Sequence, residues 1–381
     1  MSLFFLTFFL IYGTFHLYAF MKVRAAVGLS TPAAVLLAIF MLVMIATPLL
    51  VRFTEKAGFE EGARLTAYLG FTWMGVLFVF VSLALTLDIY NLLSAAGSEI
   101  FPAISRFRLN RQLVFSIPLA ASLLVAIYGF FEAWNIRIEE LVIRTPKIPA
   151  EIGTLRITQI SDVHLGLIVR AERLCNILAA VEKTAPDILV STGDLVDGQS
   201  ASFNGLSDLF RNITPGYGKF AVTGNHEYYA GLEQALDFTR AAGFTVLRGE
   251  GMAAGPVTIG GVDDVTGERF GQAPVTSEQE MLSSLPADRF TILLKHRPVI
   301  APGSPAMFDL QLSGHTHNGQ IFPFKLLSRL FFPMNAGFMN TADGAAIYVS
   351  RGSGTWGPPF RFLAPPEVTL IKLVHDPPAE K

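Results

Sequence analysis

The stretch that decides the fold is residues 155–166, which read LRITQISDVHLG. A short β run, Leu155–Ile160, leads directly into Ser161-Asp162-Val163-His164. Residues two apart on an extended chain point to the same side, so Asp162 and His164 can hold one metal ion together. An isolated Asp-x-His is more often a loop or a satisfied polar pair, and it therefore indicates a metal site only when other ligands accompany it.

Four further motifs follow predicted strands later in the chain. They are Gly193-Asp194-Leu195-Val196-Asp197, Gly224-Asn225-His226-Glu227, Lys295-His296 and Gly314-His315-Thr316-His317. The five motifs together hold five of the seven histidines. Ligand sites of α/β sheets form outside the carboxyl ends of the strands. Five motifs in this position therefore predict one shared site.

The chain after about residue 150 predicts an α/β layered domain, because short β runs alternate with amphipathic helical runs. The candidate strands are Leu155–Ile160, Ile188–Thr192, Lys219–Thr223, Val257–Val262, Phe290–Leu294, Asp309–Ser313, Ala346–Val349 and Val368–Leu373. The candidate helices are Ala171–Lys183, Leu232–Ala242 and Ser277–Leu285. Gly and Pro mark the junctions between them.

The donor types indicate the metals. Imidazole, carboxylate and amide donors suit zinc, iron or manganese rather than calcium. The single cysteine, Cys175, excludes a Cys-rich zinc site and an internal disulfide framework. The motifs supply the seven or eight donors that two ions need, and a carboxylate such as Asp194 can bridge ions about 3.5–4 Å apart. A hydroxide that bridges such ions is a nucleophile at neutral pH and can attack phosphorus in line.

The ordered series DVH, GDLVD, GNHE, KH and GHTH resembles the signature of the calcineurin-like metallophosphoesterase superfamily, over roughly Thr154–Val374. The chain is similar to the membrane-anchored bacterial branch, through SDVHLG, SGHTHNGQIFPF and RGSGTWGPPFRF. The resemblance implies a two-sheet β-sandwich flanked by helices. It also implies two divalent metal ions, which are Mn, Fe or Zn.

The resemblance assigns a role to each motif residue. It implies that Asp162, His164 and His317 hold the first metal, that Asp194 bridges, and that Asn225, His296 and His315 hold the second. It implies that His226 faces the substrate as the catalytic histidine, stabilising phosphoryl charge or protonating the leaving oxygen. Asp197 is expected to support a ligand rather than to bind a metal.

One position departs from the family pattern. Many family phosphatases follow the second motif with an arginine, and Gly198 stands there in this chain. The departure argues against a phosphate clamp of the protein-phosphatase kind. Arg351 and Arg361 either supply positive charge to the substrate phosphate instead or are exposed loop arginines.

The N-terminal third of the chain predicts four membrane-spanning helices. Each needs about 20 mainly apolar residues. The candidate spans are Ser2–Met21, Ser30–Val51, Leu65–Leu93 and Gln112–Trp134. The first lacks the basic region of a signal peptide, and its His16 either serves a function in the membrane or bonds a neighbouring helix. The predicted organisation is a transmembrane region at 1–135, a linker at 136–153, a metallophosphoesterase domain at 154–375 and a tail at 376–381.

The orientation of the spans rests on their flanking charges. Four spans place the N-terminus and the catalytic domain on the same side of the membrane. Lys and Arg are nearly balanced between the two sets of loops, but the tail before the first span is uncharged. We therefore expect a multi-pass protein of the bacterial inner membrane with an extracytoplasmic catalytic domain.

An apolar segment follows the last metal motif. It reads Ile-Phe-Pro-Phe-Lys-Leu-Leu at 321–327 and continues with Leu330-Phe331-Phe332-Pro333. Three alternatives account for it: burial on the domain, insertion into the membrane interface, or an acyl groove beside the metal site.

The expected function is therefore that of a binuclear metal-dependent phosphoesterase, of the phosphodiesterase or pyrophosphatase type, acting at the membrane through a metal-bridging hydroxide. Its expected partners are the lipid bilayer and a phosphoester substrate, such as a phospholipid or a lipid-linked pyrophosphate. One alternative is UDP-2,3-diacylglucosamine hydrolase-like activity in lipid A synthesis, which requires a cytoplasmic site. A second is a non-catalytic sensor that binds metal or lipid. The net charge of -2 argues against a nucleic-acid partner.

Overall fold

The structure is a computed structural model that describes residues 2–198, 203, 205–272, 276–341 and 344–377. The chain forms two compact units. The helical unit comprises Met1–Phe131 and Gly357–Phe362, and the α/β unit comprises Glu132–Trp356 and Leu363–Lys381. Four residues of the predicted tail, 378–381, lie outside the described residues.

Four long apolar helices dominate the helical unit, and they coincide with the four predicted helices. They are α1 Ser2–Val27, α2 Thr31–Lys56, α3 Glu60–Ile100 and α4 Arg111–Trp134. All four are long and apolar enough to cross a membrane. The third differs most from its prediction, because its 41 residues span about 60 Å and extend past both ends of the apolar run.

Polar contacts join α1 to α3 within the helical unit. The Trp73 indole donates to Nε2 of His16 at 2.9 Å, and Nδ1 of His16 donates to the Tyr12 carbonyl at 2.8 Å. An indole nitrogen can only donate, so the His16 ring is neutral. Asp88 pairs with Lys22 and accepts from the Tyr18 hydroxyl. The structure therefore agrees with the helix-bonding interpretation of His16.

A short late segment completes the helical unit. The Phe360 side chain is fully buried and packs against Gly75 and Gly129. A Cβ on Gly75 would lie 2.5 Å from the Phe360 ring, so only glycine leaves room for it. The Arg361 amide donates to the Gly129 carbonyl at 3.1 Å.

The α/β unit holds twelve strands and seven further helices among its described residues. In chain order the strands are β1 Arg137–Thr145, β2 Thr154–Ile160, β3 Ile188–Ser191, β4 Lys219–Ala221, β5 Thr245–Val246, β6 Glu250–Ala254, β7 Val257–Gly261, β8 Phe290–Leu294, β9 Leu310–Ser313, β10 Gly337–Asn340, β11 Ala346–Val349 and β12 Glu367–His375. The helices are α5 Ala171–Thr184, α6 Leu206–Arg211, α7 Asn225–Ala230, α8 Leu232–Ala241, α9 Thr266–Arg269, α10 Glu278–Ser283 and α11 Phe324–Phe331.

The strands form two six-stranded mixed sheets. Their orders are β1-β12-β2-β3-β4-β5 and β10-β11-β9-β8-β7-β6. The two central runs, β2 to β5 and β7 to β9 with β11, are parallel. Both faces of the central strands are covered, which explains continuous apolar runs such as the fully buried β8.

Three layers of apolar side chains hold the α/β unit together. The largest inter-sheet cluster joins residues such as Ile157 and Val190 of the first sheet to Ile292 and Leu312 of the second. A second cluster packs α5, α6 and α8 on the outer face of the first sheet. A third packs Met281 and Leu282 of α10 against the second sheet. The predicted fold class, N-terminal apolar helices and a two-sheet α/β domain flanked by helices, is confirmed.

Some elements differ from their predictions. The predicted linker at 136–153 contains β1, which pairs with β12 in parallel along nine residues. Three of its four charged residues, Arg137, Glu140 and Arg144, are exposed at the edge of the sheet, and this hid the strand in the sequence. Strands β5, β6 and β10 were also missed, because they are short or partly exposed.

Candidate metal centre

The predicted ligands lie on loops that leave the carboxyl ends of strands from both sheets. Asp162 and His164 follow β2, Asp194 follows β3, and Asn225 begins α7 after β4. From the second sheet, His296 follows β8, while His315 and His317 follow β9. Parallel strands point these ends the same way, which brings residues more than 150 positions apart together.

Five of these residues have a left-handed backbone. They are Asp162, His164, Asp194, His315 and His317, with φ between 48° and 72°. This conformation costs a non-glycine residue roughly 1–2 kcal/mol. Strained backbone of this kind clusters at functional sites, where the fold holds side chains in positions that local preference would not give.

The first ligand cluster consists of Asp162, His164 and His317. The Nε2 atoms of the two histidines lie 3.0 Å apart, and Nε2 of His317 lies 3.4 Å from Oδ1 of Asp162. All three side chains are buried. Their donor atoms therefore converge on one point.

The second cluster consists of Asp194, His296 and His315, with Asn225 beside it. Nε2 of His296 lies 3.2 Å from Oδ2 of Asp194 and 3.1 Å from Nδ1 of His315. The buried Oδ1 of Asn225 has no hydrogen-bond partner among the described residues. A buried amide oxygen without a partner is costly unless a cation binds it.

The distances between donor atoms fit a metal ion. Two imidazole nitrogens that share an ion at about 2.05 Å stand about 2.9–3.3 Å apart for angles between octahedral and tetrahedral. The observed separations of 3.0 and 3.1 Å fall in this range. The donor set therefore fits divalent ions of the zinc, iron or manganese type.

Asp194 connects the two clusters. Its Oδ1 accepts from the backbone amide of His226 at 2.8 Å, which fixes the carboxylate. Its Oδ2 lies 3.2 Å from Nε2 of His296 and 3.8 Å from Nε2 of His164. One oxygen thus faces a histidine of each cluster.

Hydrogen bonds outside the clusters orient the ligands. Nδ1 of His296 donates to the Thr192 carbonyl at 2.8 Å, which directs Nε2 toward Asp194. The Asp162 carboxylate accepts from the His315 amide at 3.0 Å and from the Ser161 hydroxyl at 2.5 Å. Partners of this kind set the tautomer and position of metal ligands.

His226 stands beside the clusters with a partner of its own. Its Nδ1 lies 2.5 Å from Oδ1 of Asp197, whose other oxygen is 3.6 Å from Nδ1 of His164. Asp197 therefore pairs with the outer nitrogen of His226 and lies near that of His164, whose Nδ1 has no hydrogen-bond partner among the described residues. Nε2 of His226 is the ring nitrogen that remains for a substrate.

Glu227 has a structural role that the sequence interpretation missed. Its buried carboxylate accepts from the backbone amides of Asp194, Leu195, Val196 and Gly224, at 2.7–3.3 Å. It thereby joins the loops after β3 and β4, which carry Asp194 and Asn225. Its position directly after His226 was the available signal, but nothing in the spacing indicates that its partners are backbone amides.

The carboxylates control the protonation of the histidines. Burial lowers the pKa of His296, but the carboxylates of Asp194 and Asp162 outweigh it and raise that pKa to about 10. Burial also opposes the charge on His226, whereas Asp197 and Asp194 raise its pKa to about 9. Burial and the neighbouring positive charge of His296 lower the pKa of His315 to about 3. In the metal-free protein, the neighbouring carboxylates therefore keep His296 and His226 protonated in the region where metal ions would bind.

A cavity of about 390 Å³ opens over the clusters. Predicted ligands and His226 form its polar side, whereas Phe324, Leu327 and Phe331 of α11 form an apolar wall with Phe332 and Trp356. The Gln320 side chain holds Trp356 through two backbone hydrogen bonds of 2.9 Å. Sequence analysis singled out the α11 segment but assigned no role to Trp356.

The structure does not bring the two predicted substrate arginines to this cavity. Arg351 pairs with Glu139 and Glu367, and its Nε donates to the Pro365 carbonyl. Arg361 is fully buried and belongs to the helical unit, so it is not an exposed loop arginine. Neither is among the described residues that line the cavity. Substrate binding by Arg351 and Arg361 stays a prediction.

The apolar segment is buried on the domain at Ile321, but its helix α11 is not. All eight residues of α11 retain exposure, and the side chains of Leu330 and Phe331 are 76% and 78% exposed. The burial alternative is therefore wrong for this helix. The membrane and acyl alternatives remain.

Comparison with known proteins agrees with the site. The family model of the calcineurin-like phosphoesterases matches residues 155–319. A metallophosphoesterase of Aquifex aeolicus is 43% identical over 256 residues, which cover 66% of this chain and 97% of the relative. The transmembrane protein with metallophosphoesterase domain of Danio rerio is 28% identical over 325 residues, covering 80% of this chain and 73% of that one.

Among solved structures, a 5'-nucleotidase precursor from Thermus thermophilus overlaps 58% of this chain with a TM-score of 0.34 and 16% identity. The chain spans just over half of that structure, 54%. The four apolar helices and the Danio rerio relative together indicate a membrane protein. The conclusion follows from the ordered ligand motifs, the two-sheet fold and the Aquifex aeolicus relative. The chain belongs to the calcineurin-like phosphoesterase family, and this membership makes it a metal-dependent phosphoester hydrolase.

Proposed function

We propose that this chain is a binuclear phosphoesterase of the phosphodiesterase or pyrophosphatase type, acting on a lipid-linked substrate at the membrane. The observation that carries the proposal is the Asp194 carboxylate, whose Oδ2 faces His164 of one cluster and His296 of the other. Asp162, His164 and His317 would hold one ion, and Asn225, His296 and His315 would hold the other. When bound, two divalent ions supply Lewis acidity and activate water for attack on phosphorus.

The protein's own groups supply the proton chemistry. Asp197 holds Nδ1 of His226, so Nε2 points its proton toward the cavity. In the metal-free protein, Asp197 and Asp194 raise the pKa of His226 to about 9 against the effect of burial, so there the ring carries that proton at neutral pH. It can therefore stabilise phosphoryl charge and protonate a leaving oxygen.

The lining of the cavity favours a lipid-linked phosphoester over a phosphoprotein. Phe324, Leu327 and Phe331 give one wall that acyl or prenyl chains would contact. Gly198 stands where a phosphate-clamping arginine would follow the second motif. The described residues give no support to the lipid A alternative in particular, since none of the lining groups distinguishes a nucleotide sugar.

Hydrolysis of bis-p-nitrophenyl phosphate by the purified full chain tests the chemistry, with manganese, zinc or no metal added. Asp194→Asn is expected to abolish turnover and to reduce metal content. His226→Ala is expected to lower turnover by roughly 10²- to 10⁴-fold while metal content is retained. Asp237→Asn, on an exposed face of α8, is the control and should match the wild type.

Two outcomes would contradict the proposal. Folded protein that is inactive with every metal would favour the non-catalytic sensor instead. Equal loss of metal in Asp194→Asn and His226→Ala would overturn the role given to His226.

A further inference from the structure

An exposed apolar surface on α11 has no role in the proposed chemistry. Successive helical residues lie about 100° apart, so α11 presents different side chains in different directions. Phe324, Leu327 and Phe331 line the cavity, whereas Leu326 and Leu330 do not. The side chains of Leu326 and Leu330 are 56% and 76% exposed. These two leucines, with the exposed part of Phe331, form the outward face of α11.

The charged residues of the segment that carries this face are all of one sign. Lys325 and Arg329 lie on the same helix, each about 100° around its axis from one of the leucines. The stretch 321–340 contains no Asp or Glu, although the whole chain carries 31 acidic residues against 29 basic ones. A helix with a large apolar face, flanking cations and no acids has the composition of an interfacial membrane helix.

The covalent chain keeps the α/β unit close to a bilayer that the four helices cross. The last apolar helix ends at Trp134 and β1 begins at Arg137, so only Asn135 and Ile136 connect them. Three residue steps span at most about 11 Å. The α/β unit therefore remains within about one domain diameter of the membrane surface, at a high effective concentration of lipid.

From these observations we infer that α11 docks the α/β unit onto the bilayer, with Leu326, Leu330 and Phe331 inserted among the lipid chains. Lys325 and Arg329 then lie at the headgroups, where their positive charges attract anionic lipids. The inner side of the same helix walls the cavity, so a lipid could move from the bilayer to the metal clusters along one helix. Docking itself requires no turnover and goes beyond the proposed activity.

Spin labelling of the full chain tests the docking. Cys175, the only cysteine, is replaced by serine, and a label is placed by Leu330→Cys or by the matched control Val299→Cys, an exposed apolar position outside α11. The protein is reconstituted in nanodiscs of phosphatidylcholine with phosphatidylglycerol. The Leu330 label is expected to be relaxed by oxygen more than by a water-soluble nickel chelate, and the Val299 label the reverse.

Equal access of the nickel chelate to both labels would overturn the inference. So would a Leu330 label that is shielded from both reagents and shows dipolar broadening, because a second copy of the chain would then cover the face. Charge reversal by Lys325→Glu with Arg329→Glu should raise nickel access to the Leu330 label in the anionic nanodiscs. No change on reversal would overturn the part assigned to anionic lipid. Neither readout depends on hydrolysis. An inactive protein can therefore still show docking, and failure of the proposed function is distinguishable from failure of the docking inference.

Discussion

The pairing of His226 with Asp197 shows how one contact decides protonation at the site. A buried histidine alone would have a lowered pKa, because burial opposes its charge. The Asp197 carboxylate, 2.5 Å from Nδ1, together with Asp194 reverses that direction. The same carboxylate is 3.6 Å from His164, so it acts on a predicted ligand and on the predicted catalytic residue at once.

Replacement of Asp197 should separate proton chemistry from metal binding. In Asp197→Asn, we expect the pKa of His226 in the metal-free protein to fall from about 9 toward the ordinary 6.5, because the main charge that raises it is gone. Titration of the histidine by nuclear magnetic resonance measures this shift. Hydrolysis at neutral pH should fall by about 10²-fold or more. Asp208→Asn, at an exposed position of α6, is the control, and an unchanged His226 titration in Asp197→Asn would contradict the assignment.

Metal loading should release protons at neutral pH. The carboxylates of Asp194 and Asp162 raise the pKa of His296 to about 10 against the effect of burial, so the metal-free ring is charged at pH 7. A ligand nitrogen must be deprotonated to bind a metal, and loading therefore displaces that proton. Affinity should weaken as pH falls and level off above about 10. Calorimetry in buffers of different ionisation enthalpy measures the release, and a binding enthalpy independent of the buffer would contradict it.

At the scale of elements, the loops that follow the strands determine the geometry of the metal clusters more than the strands themselves do. The loops after β3 and β4 approach so closely that Gly224 faces the Asp194 carboxylate directly. A Cβ there would lie 2.6 Å from the Asp194 amide and closer still to its Oδ1. The four amides held by Glu227 fix the same approach.

Gly224→Ala should therefore impair the site while leaving the fold intact. Overpacking of this kind typically costs about 1–3 kcal/mol, and relief requires Asp194 to move away from both clusters. We expect a lower metal content and lower activity, measured by elemental analysis and by hydrolysis. Gly216→Ala is the matched control, since a Cβ at Gly216 meets nothing within 4 Å. Wild-type metal content in Gly224→Ala would show that Asp194 does not need this close approach.

The elements also show what sequence could and could not predict. In the described part of the α/β unit, periodicity found three of the seven helices and eight of the twelve strands, because buried strands such as β8 read as unbroken apolar runs. It missed β1, since an edge strand with outward charges reads as a linker. Motif order placed all seven predicted ligands at strand ends. Motif order did not predict the contact of Trp356 or the partners of Glu227, because those contacts join segments with no shared sequence pattern.

At the scale of the whole molecule, the sidedness of the four helices decides which substrates the metal clusters can meet. Four membrane spans would place the N-terminus and the α/β unit on the same side of the membrane. Nucleotide sugars are cytoplasmic, whereas lipid phosphoesters occur in both leaflets. The predicted extracytoplasmic placement remains a prediction that rests on the uncharged N-terminal tail.

Reporter fusions test this topology directly. Alkaline phosphatase folds only outside the cytoplasm. It should therefore be active when fused after Lys381, which the prediction places outside the cytoplasm. The same reporter fused at Gly28, between the first two helices, should be inactive. A fluorescent protein that folds only in the cytoplasm should give the opposite pattern. Activity at Gly28 and not at Lys381 would place the catalytic part in the cytoplasm and restore the nucleotide-sugar alternative.

The late segment around Phe360 constrains how the two units can be recombined with parts of other proteins. The chain passes from one unit to the other after Phe131, after Trp356 and after Phe362. A recombination event at the first junction alone would exchange the membrane helices but leave the Phe360 ring without the glycines that accommodate it. Grafting either part onto a foreign partner therefore needs matched changes at three places. Exchange of the membrane helices is thus expected to succeed only when residues 357–362 are exchanged with them.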